Sequence, residues 1–187
     1  MIRIYVGSTA VYSEQEKVLE YSIRSNTDAE VEVTFMRPGE NGLTTSGCTG
    51  FTQFRYCVPE LAGRQGFAIY LDVDMILMAD IQELYEYRKP GAWVCLKGGR
   101  TEVSVIDCSL RIRPKAQLCG MDKSLALALT QEYMKKQIPL DWNVRDKVTE
   151  GMKLLHFTNM HTQPWLGKVH PNPEAMAVLR EYESRVA

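Results

Sequence analysis

The sequence predicts an α/β fold: a single domain with a mixed, mainly parallel sheet flanked by helices. Three observations carry that expectation. The N-terminus reads as strand, helix, strand. A central apolar run, unbroken by polar alternation, ends in two aspartates. Further short apolar runs with β-branched residues follow it before a terminal amphipathic helix.

Residues 2–6 (Ile-Arg-Ile-Tyr-Val) form the first expected strand, and Gly7-Ser8-Thr9 a small polar loop. Ser13-Glu14-Gln15-Glu16 has the spacing of a capping box, which predicts a helix start there. Val18, Leu19, Ile23 and Tyr21 give that helix an apolar stripe, and Asn26 with Asp28 marks its end. Residues 31–36 alternate as a second strand, and a β-α-β opening implies parallel pairing through a right-handed crossover. Residues 37–50, rich in Gly, Asn, Ser and Thr, predict a long loop and a candidate mobile element. Residues 51–61 read as a helix carrying Arg55.

Residues 69–71 predict a strand buried on both faces, because nothing polar interrupts it. Asp80 predicts the N-cap of a short helix through Ile81, Leu84 and Tyr85. Residues 92–96 and 103–107 read as two strands separated by Lys97-Gly98-Gly99-Arg100, and residues 123–136 as a helix. An irregular segment at 138–143 precedes a last short strand at 153–157. Asn172 and Pro173 suit the N-cap and first turn of a final helix using Met176, Val178, Leu179 and Tyr182.

A chain of 187 residues with 45% hydrophobic and 24% charged residues supports one domain with an ordinary core. The formal net charge of -1 gives no electrostatic case for nucleic acid or an anionic membrane. The apolar runs are far shorter than the ~20 residues of a membrane span, and the N-terminal run is too short for a signal peptide. Five cysteines without C-x-x-C spacing argue against a disulfide framework or zinc knuckle and fit a reducing, cytoplasmic setting. Cys57, Cys95 and Cys108 read as buried thiols.

Asp72-x-Asp74 is where chemistry is expected. Ionised carboxylates at the end of a buried strand need solvent, a cation or hydrogen-bond donors, since desolvation is costly. A divalent cation at the strand's C-terminal edge answers that need, and a structural capping role is the alternative. Open α/β sheets bind ligands at that edge. His156 closes a late apolar strand and leads into a polar loop ending in Pro164-Trp165. It is either a core histidine or a third ligand, and an imidazole beside two carboxylates shifts the preference from Mg toward Mn. Trp142-Asn143 and Trp165 suit either stacking on a sugar or packing, and Asp141 is a possible polar contact for a sugar.

Taken in order, these segments resemble glycosyltransferase family 8. The resemblance is carried by Tyr5-Val6-Gly7, Arg55, Tyr70-Leu71-Asp72-Val73-Asp74-Met75, Asp80-Ile81-Gln82-Glu83-Leu84, His156-Phe157-Thr158 and Pro164-Trp165. Val58-Pro59-Glu60-Leu61 and Pro139-Leu140-Asp141-Trp142-Asn143 bring it closest to small bacterial and phage-encoded members. It spans nearly the whole chain. It implies a GT-A fold with a nucleotide-binding half at about 1–80 and an acceptor-side, closing half at about 81–187.

The resemblance also implies metal-dependent transfer of a sugar, with retention, from a nucleotide sugar (UDP-linked) to a saccharide, protein or other hydroxyl acceptor. Asp72, Asp74 and His156 would hold Mn or Mg, and Asp72, Asp74 and Gln163 would serve catalysis. Tyr5, Val6, Gly7, Arg55, Asp72, Val73, Asn159 and Trp165 would contact the donor. Gln163 stands where the family has a lysine that neutralises the leaving group, and Asn159 where it has a glycine. Glutamine donates a hydrogen bond without balancing charge, so Lys97, Arg100 and Lys168 are candidate substitutes, with the loop histidine His161 as a further contributor. The family's acceptor-side Asn-x-Gly is represented only by Ser104-Val105-Ile106-Asp107. Two other readings compete: a non-catalytic sugar-nucleotide or carbohydrate-binding relative, and a nucleotidyltransferase. Gly7-Ser8-Thr9-Ala10 lacks the basic residues that the latter's triphosphate loop needs.

Overall fold

The computed structural model describes residues 1–44, 49–112 and 123–186. Strand β1 (Ile2–Gly7) is the one on which the sheet is assembled. After a 3-10 turn, α1 (Ser13–Ser25) crosses back to β2 (Val31–Met36), which pairs parallel with β1 from Ile2↔Val31 to Gly7↔Met36. A 3-10 turn at Phe54–Cys57 and the short α2 (Val58–Leu61) then lead into β3 (Phe67–Asp72). β3 lies parallel to β1 on its other side, from Ile4↔Ile69 to Gly7↔Asp72. Ile4, Val6, Ala68, Ile69, Tyr70 and Leu71 are all buried, as an apolar run without polar alternation requires of central strands.

Beyond β3 the chain forms β4 (Met75–Leu77), α3 (Ile81–Tyr85), β5 (Trp93–Leu96) and β6 (Val103–Asp107). Helix α4 (Lys123–Thr130), strands β7 (Met134–Ile138), β8 (Val144–Arg145) and β9 (Leu154–His156), and helix α5 (Pro173–Val186) complete it. The main sheet has the order β2-β1-β3-β6-β5-β7. It is parallel at β2/β1, β1/β3 and β5/β7, and β6 runs antiparallel to both its neighbours. A small second sheet has the order β4-β9-β8.

Two caps form as the sequence predicts. Asp80 accepts from the Gln82 N–H at 2.9 Å, and Asn172 Oδ1 accepts from the Ala175 N–H at 2.8 Å. Cys57, Cys95 and Cys108 are buried, as the sequence predicts.

Three expectations are corrected. The capping box does not form: Tyr12 occupies the N-cap without a side-chain cap bond, because the 3-10 turn Ala10–Tyr12 runs straight into α1. Glu16 turns instead to the Arg37 guanidinium, a charged partner that suits a buried carboxylate better than a backbone N–H. The helix expected at 51–61 divides into the 3-10 turn and α2, with Pro59 in the first turn of α2. The helix expected at 123–136 stops at Thr130, and the next residues form β7 beside β5. There tertiary pairing overrides local preference, and the outward Lys135 and Lys136 suit an edge strand. Residues 75–77, for which the sequence set no partner, lie in the second sheet beside β9. Residues 45–48 of the long loop lie outside the described residues.

This connectivity positions the acidic pair. Asp72 ends β3 level with Gly7, and the Val73 N–H donates to the Gly7 carbonyl at 3.2 Å. The chain then enters β4, whose antiparallel register with β9 sets Met75 opposite His156. A small apolar cluster of Val18, Ile76, Leu155, Phe157, Ala175 and Leu179 ties α1 and α5 to that second sheet.

Gly7 is required by a close approach. A Cβ there would strike the Tyr70 hydroxyl and come within 2.9 Å of the Phe51 ring. Gly7→Ala is therefore expected to destabilise the fold by about 1–3 kcal/mol, measured by urea unfolding. Wild-type stability in that variant would show that the contact is not tight.

Candidate functional site

Asp72, Asp74 and His156 converge at the C-terminal edge of β3, where one ligand atom from each lies within 4.8 Å of the others. All three side chains are buried. The two acids are met from different sides. Asp72 receives both its oxygens' contacts from Arg55 Nη2, at 2.9 and 3.1 Å, and a 2.6 Å bond from the Tyr70 hydroxyl. Tyr70 and Asp72 are two apart on one strand and so share a face. Arg55 is buried above the Tyr70 ring, 5.0 Å from its centroid, and its Nη1 donates to Thr101 Oγ1 at 3.1 Å.

Asp74 is met from the second sheet and the loop after it. His156 Nε2 lies 3.0 Å from Oδ1, and Gln163 Nε2 donates to Oδ2 at 2.9 Å. The Phe157 N–H bonds the Asp74 carbonyl at 2.9 Å. Gln163 is wholly engaged: its amide also donates to the Phe157 carbonyl at 2.7 Å, and its Oε1 accepts from the Tyr12 hydroxyl at 3.3 Å. His156 Nδ1 lies 2.7 Å from Asn143 Oδ1. A histidine oriented through one ring nitrogen presents the other for a proton or a metal.

The electrostatics follow from packing two carboxylates together out of water. Burial, opposed by Arg55 and reinforced by Asp74, holds the Asp72 pKa above the carboxylate range. For His156, burial is the strongest influence and disfavours the charged ring, but Asp74, Asp72 and Glu102 outweigh it and raise its pKa. The same logic pushes the Tyr12 phenol up to about 12, through burial and then the charges of Asp74 and Asp72. The site thus retains protons for lack of positive charge. Two carboxylate oxygens and an imidazole nitrogen, with one ligand already oriented by Asn143, are a donor set suited to a divalent cation such as Mn or Mg.

The remaining sequence-predicted residues are distributed as follows. Gly7 and Val73 lie beside the acids, joined by their backbone bond. Val6 is in the core between Phe35 and Leu71, and the buried Tyr5 phenol feels Arg3 and Cys108 rather than the acidic pair. Trp165 stands edge-on to Phe157 and Tyr12, with ring centroids 5.5 and 6.1 Å away. Asn159 is exposed, and its Oδ1 accepts from the His161 N–H at 3.0 Å. His161, Lys97 and Lys168 are exposed and Arg100 is partly so. Trp142 is fully buried, so packing and not sugar stacking is its role. Tyr12, Tyr70, Thr101 and Asn143 were not assigned to the acidic cluster from sequence. Only Tyr70 left a legible signal, through its two-residue spacing from Asp72.

No family model matches the sequence, and no curated protein is similar to it in sequence. Solved structures do share the fold. The glycosyltransferase GlyE of Streptococcus pneumoniae TIGR4 matches with a TM-score of 0.70 at 14% identity, over 97% of this chain and 60% of that one. The galactosyltransferase LgtC, solved with donor and acceptor sugar analogues, gives a TM-score of 0.63 at 12% identity, over 100% of this chain and 96% of its own. The bifunctional glycosyltransferase WbbM gives 0.64 at 10% identity, over 96% of this chain and 51% of WbbM. The chain therefore spans about half of WbbM and 60% of GlyE. Together with the mixed sheet, these likenesses establish the predicted GT-A architecture. Among the described residues, no helix is long and apolar enough to cross a membrane.

His156 binds its proton more tightly in the folded than in the unfolded chain. In metal-free buffer that contribution to stability is full below about pH 6.5, the ordinary imidazole value. It is lost as the pH rises through the raised folded value, since the native state then holds the extra proton no longer. Urea unfolding in EDTA between about pH 6 and about pH 9 is expected to show stability falling with pH. His156→Gln should flatten that slope, and a slope retained in the variant would assign it to another group.

Proposed function

We propose that the chain is a glycosyltransferase of the family 8 type that uses a nucleotide sugar, UDP-linked, with a divalent cation held by Asp72, Asp74 and His156. One observation carries this reading: on a GT-A sheet, the three ligand atoms meet at the C-terminal edge of β3, the edge where open α/β sheets bind ligands. Residues 1–80 then supply the nucleotide side, and residues 81–187 close the site and receive the acceptor.

When bound there, Mn or Mg supplies positive charge to a departing diphosphate, and stabilising developing charge is usually the largest catalytic term. The chain's own residues prepare that position. Arg55 and Tyr70 fix the Asp72 carboxylate. Asn143 fixes the His156 ring, so that Nε2 is the nitrogen turned to the site. Gln163 and His156 hold the two oxygens of Asp74 in one orientation. Gln163 thus positions a ligand instead of standing free for the leaving group, as a lysine would. Trp165 packs edge-on against both Phe157 and Tyr12, the residues whose carbonyl and hydroxyl hold the Gln163 amide. Sugar transfer with retention breaks the anomeric bond to the diphosphate and forms one to an acceptor hydroxyl, whose proton leaves with the displaced phosphate.

The commitment of Gln163 to Asp74 also favours a second reading, a module that binds the sugar nucleotide without turning it over. Calorimetry of UDP with and without Mn, followed by a sugar-nucleotide hydrolysis assay, separates the two. Transfer or hydrolysis is expected, and Mn-dependent UDP binding without either would favour the second.

Asp74→Ala is expected to lower donor turnover by roughly 10²-fold or more while the protein stays folded by circular dichroism. Full metal-dependent activity in that variant would sink the assignment. Gln163→Ala should weaken Mn binding by about 10- to 100-fold, read by calorimetry in the absence of donor. Unchanged affinity would show that the amide does not orient Asp74.

A further inference from the structure

Glu102 is a charged group at this site for which the metal-ligand reading has no use. β6 runs antiparallel to β3 with Tyr70 opposite Ser104 and Leu71 opposite Val103. One more step of that register brings Glu102 level with Asp72. Glu102 directly precedes β6, beside the end of β3 that carries Asp72, and the hydroxyl of its neighbour Thr101 accepts the Arg55 Nη1 bond, which brings this segment to the Arg55–Asp72 pair.

Two of the buried polar atoms without partners among the described residues belong to Glu102 and Arg55. Glu102 Oε2 is buried without a hydrogen bond, and so is Arg55 Nε, whose guanidinium forms its ion pair with Asp72. Glu102 lies near enough to Arg55 and His156 for its charge to favour their protonated forms, as it also raises the pKa values of Tyr56 and Cys95, yet Glu102 is not one of the three converging ligands. A buried acceptor and a buried donor left open cost the free protein stability that a bound group can restore. A hydroxyl is the group that accepts from an N–H and donates to a carboxylate at once. An ionised phosphate only accepts, and a carboxylate would repel it.

We propose that Glu102 is a specificity-determining residue whose free carboxylate oxygen, together with the free Arg55 N–H, receives a hydroxyl of the sugar on the nucleotide donor. The donor sugar is the fitting source because Glu102 lies next to the end of β3 that carries Asp72, one of the residues that would hold the diphosphate's cation. A site built to bond a hydroxyl discriminates strongly against ligands that lack it. The proposal rests on the sugar-nucleotide reading above.

The test is calorimetry of UDP, UDP-glucose and UDP-galactose, all with Mn, on the wild type, Glu102→Ala and Glu102→Gln, with melting temperatures of the unliganded proteins. The wild type should bind at least one UDP-hexose more tightly than UDP by roughly tenfold or more. Glu102→Ala should bind UDP as the wild type does and lose the hexose advantage. Glu102→Gln, which keeps an oxygen acceptor without its charge, should retain part of it. Both variants should melt at or above the wild-type temperature, because Glu102→Ala removes the unsatisfied buried oxygen and Glu102→Gln removes the charge on it. A purely structural role predicts the reverse, a lower melting temperature with the UDP-hexose to UDP ratio unchanged, and that result overturns the proposal. An unchanged ratio at unchanged melting temperature overturns it too, since water alone then fills the gap. Failure of the wild type to bind UDP with Mn is visible without any variant; it overturns the sugar-nucleotide reading and this proposal with it.

Discussion

Two carboxylates at the end of a strand buried on both faces are what the rest of the molecule has to accommodate. Neither can be ionised there without a cation or a set of donors. The chain brings a different answer to each. Asp72 has a guanidinium and a phenol, both from the N-terminal part of the chain. Asp74 has an imidazole and an amide, both from the C-terminal part. The acidic pair is therefore also where the two parts of the chain are joined. Because burial and Asp74 leave the Asp72 pKa raised, and the carboxylates raise that of His156 against its own burial, the arrangement is short of positive charge even with Arg55 in place.

That shortage explains residues well away from the acids. Gly7 has no side chain because the Tyr70 hydroxyl passes over it to Asp72. Asn143 is buried on a 3-10 turn because the His156 ring needs its far nitrogen held. Helix α5 packs Ala175 and Leu179 against Leu155 and Ile76, which anchors the ladder that carries His156. A helix with no polar contact to the cluster thus supports its geometry through packing, where small volume changes are felt. Glu102 runs against this pattern. It adds negative charge to a site already short of cations and leaves an oxygen unpaired, a local cost of the sort that collects at functional sites.

Much of the fold was legible locally. The strand-helix-strand opening, the buried β3, the Asp80 and Asn172 caps and the strands at 93–96 and 103–107 are each set by a pattern within a few residues. The failures have a common origin. Glu16 was read as a cap because its helix partner is near in sequence, while Arg37 reaches it from beyond β2. The composition of residues 134–136 allows helix, while β5 offers an edge to pair with. Residues 75–77 continue an apolar run, and nothing in them says that their partner is β9.

The site divides in the same way. Asp72, Asp74 and His156 were identifiable from residue type and from where each falls relative to a strand end, since a carboxylate or histidine closing an apolar run has few uses. The roles of their partners were decided only in three dimensions. Gln163 could be read in the sequence as a lysine's replacement. Only the return of its loop to Asp74 shows the amide spent on a ligand carboxylate. Trp142 could be read as a sugar platform until the β9 side of the fold buried it. Residue type and strand period act over a few positions and survive in the sequence. Which donor meets which acceptor depends on registers between segments tens of residues apart, and those are chosen by the packing of the whole chain.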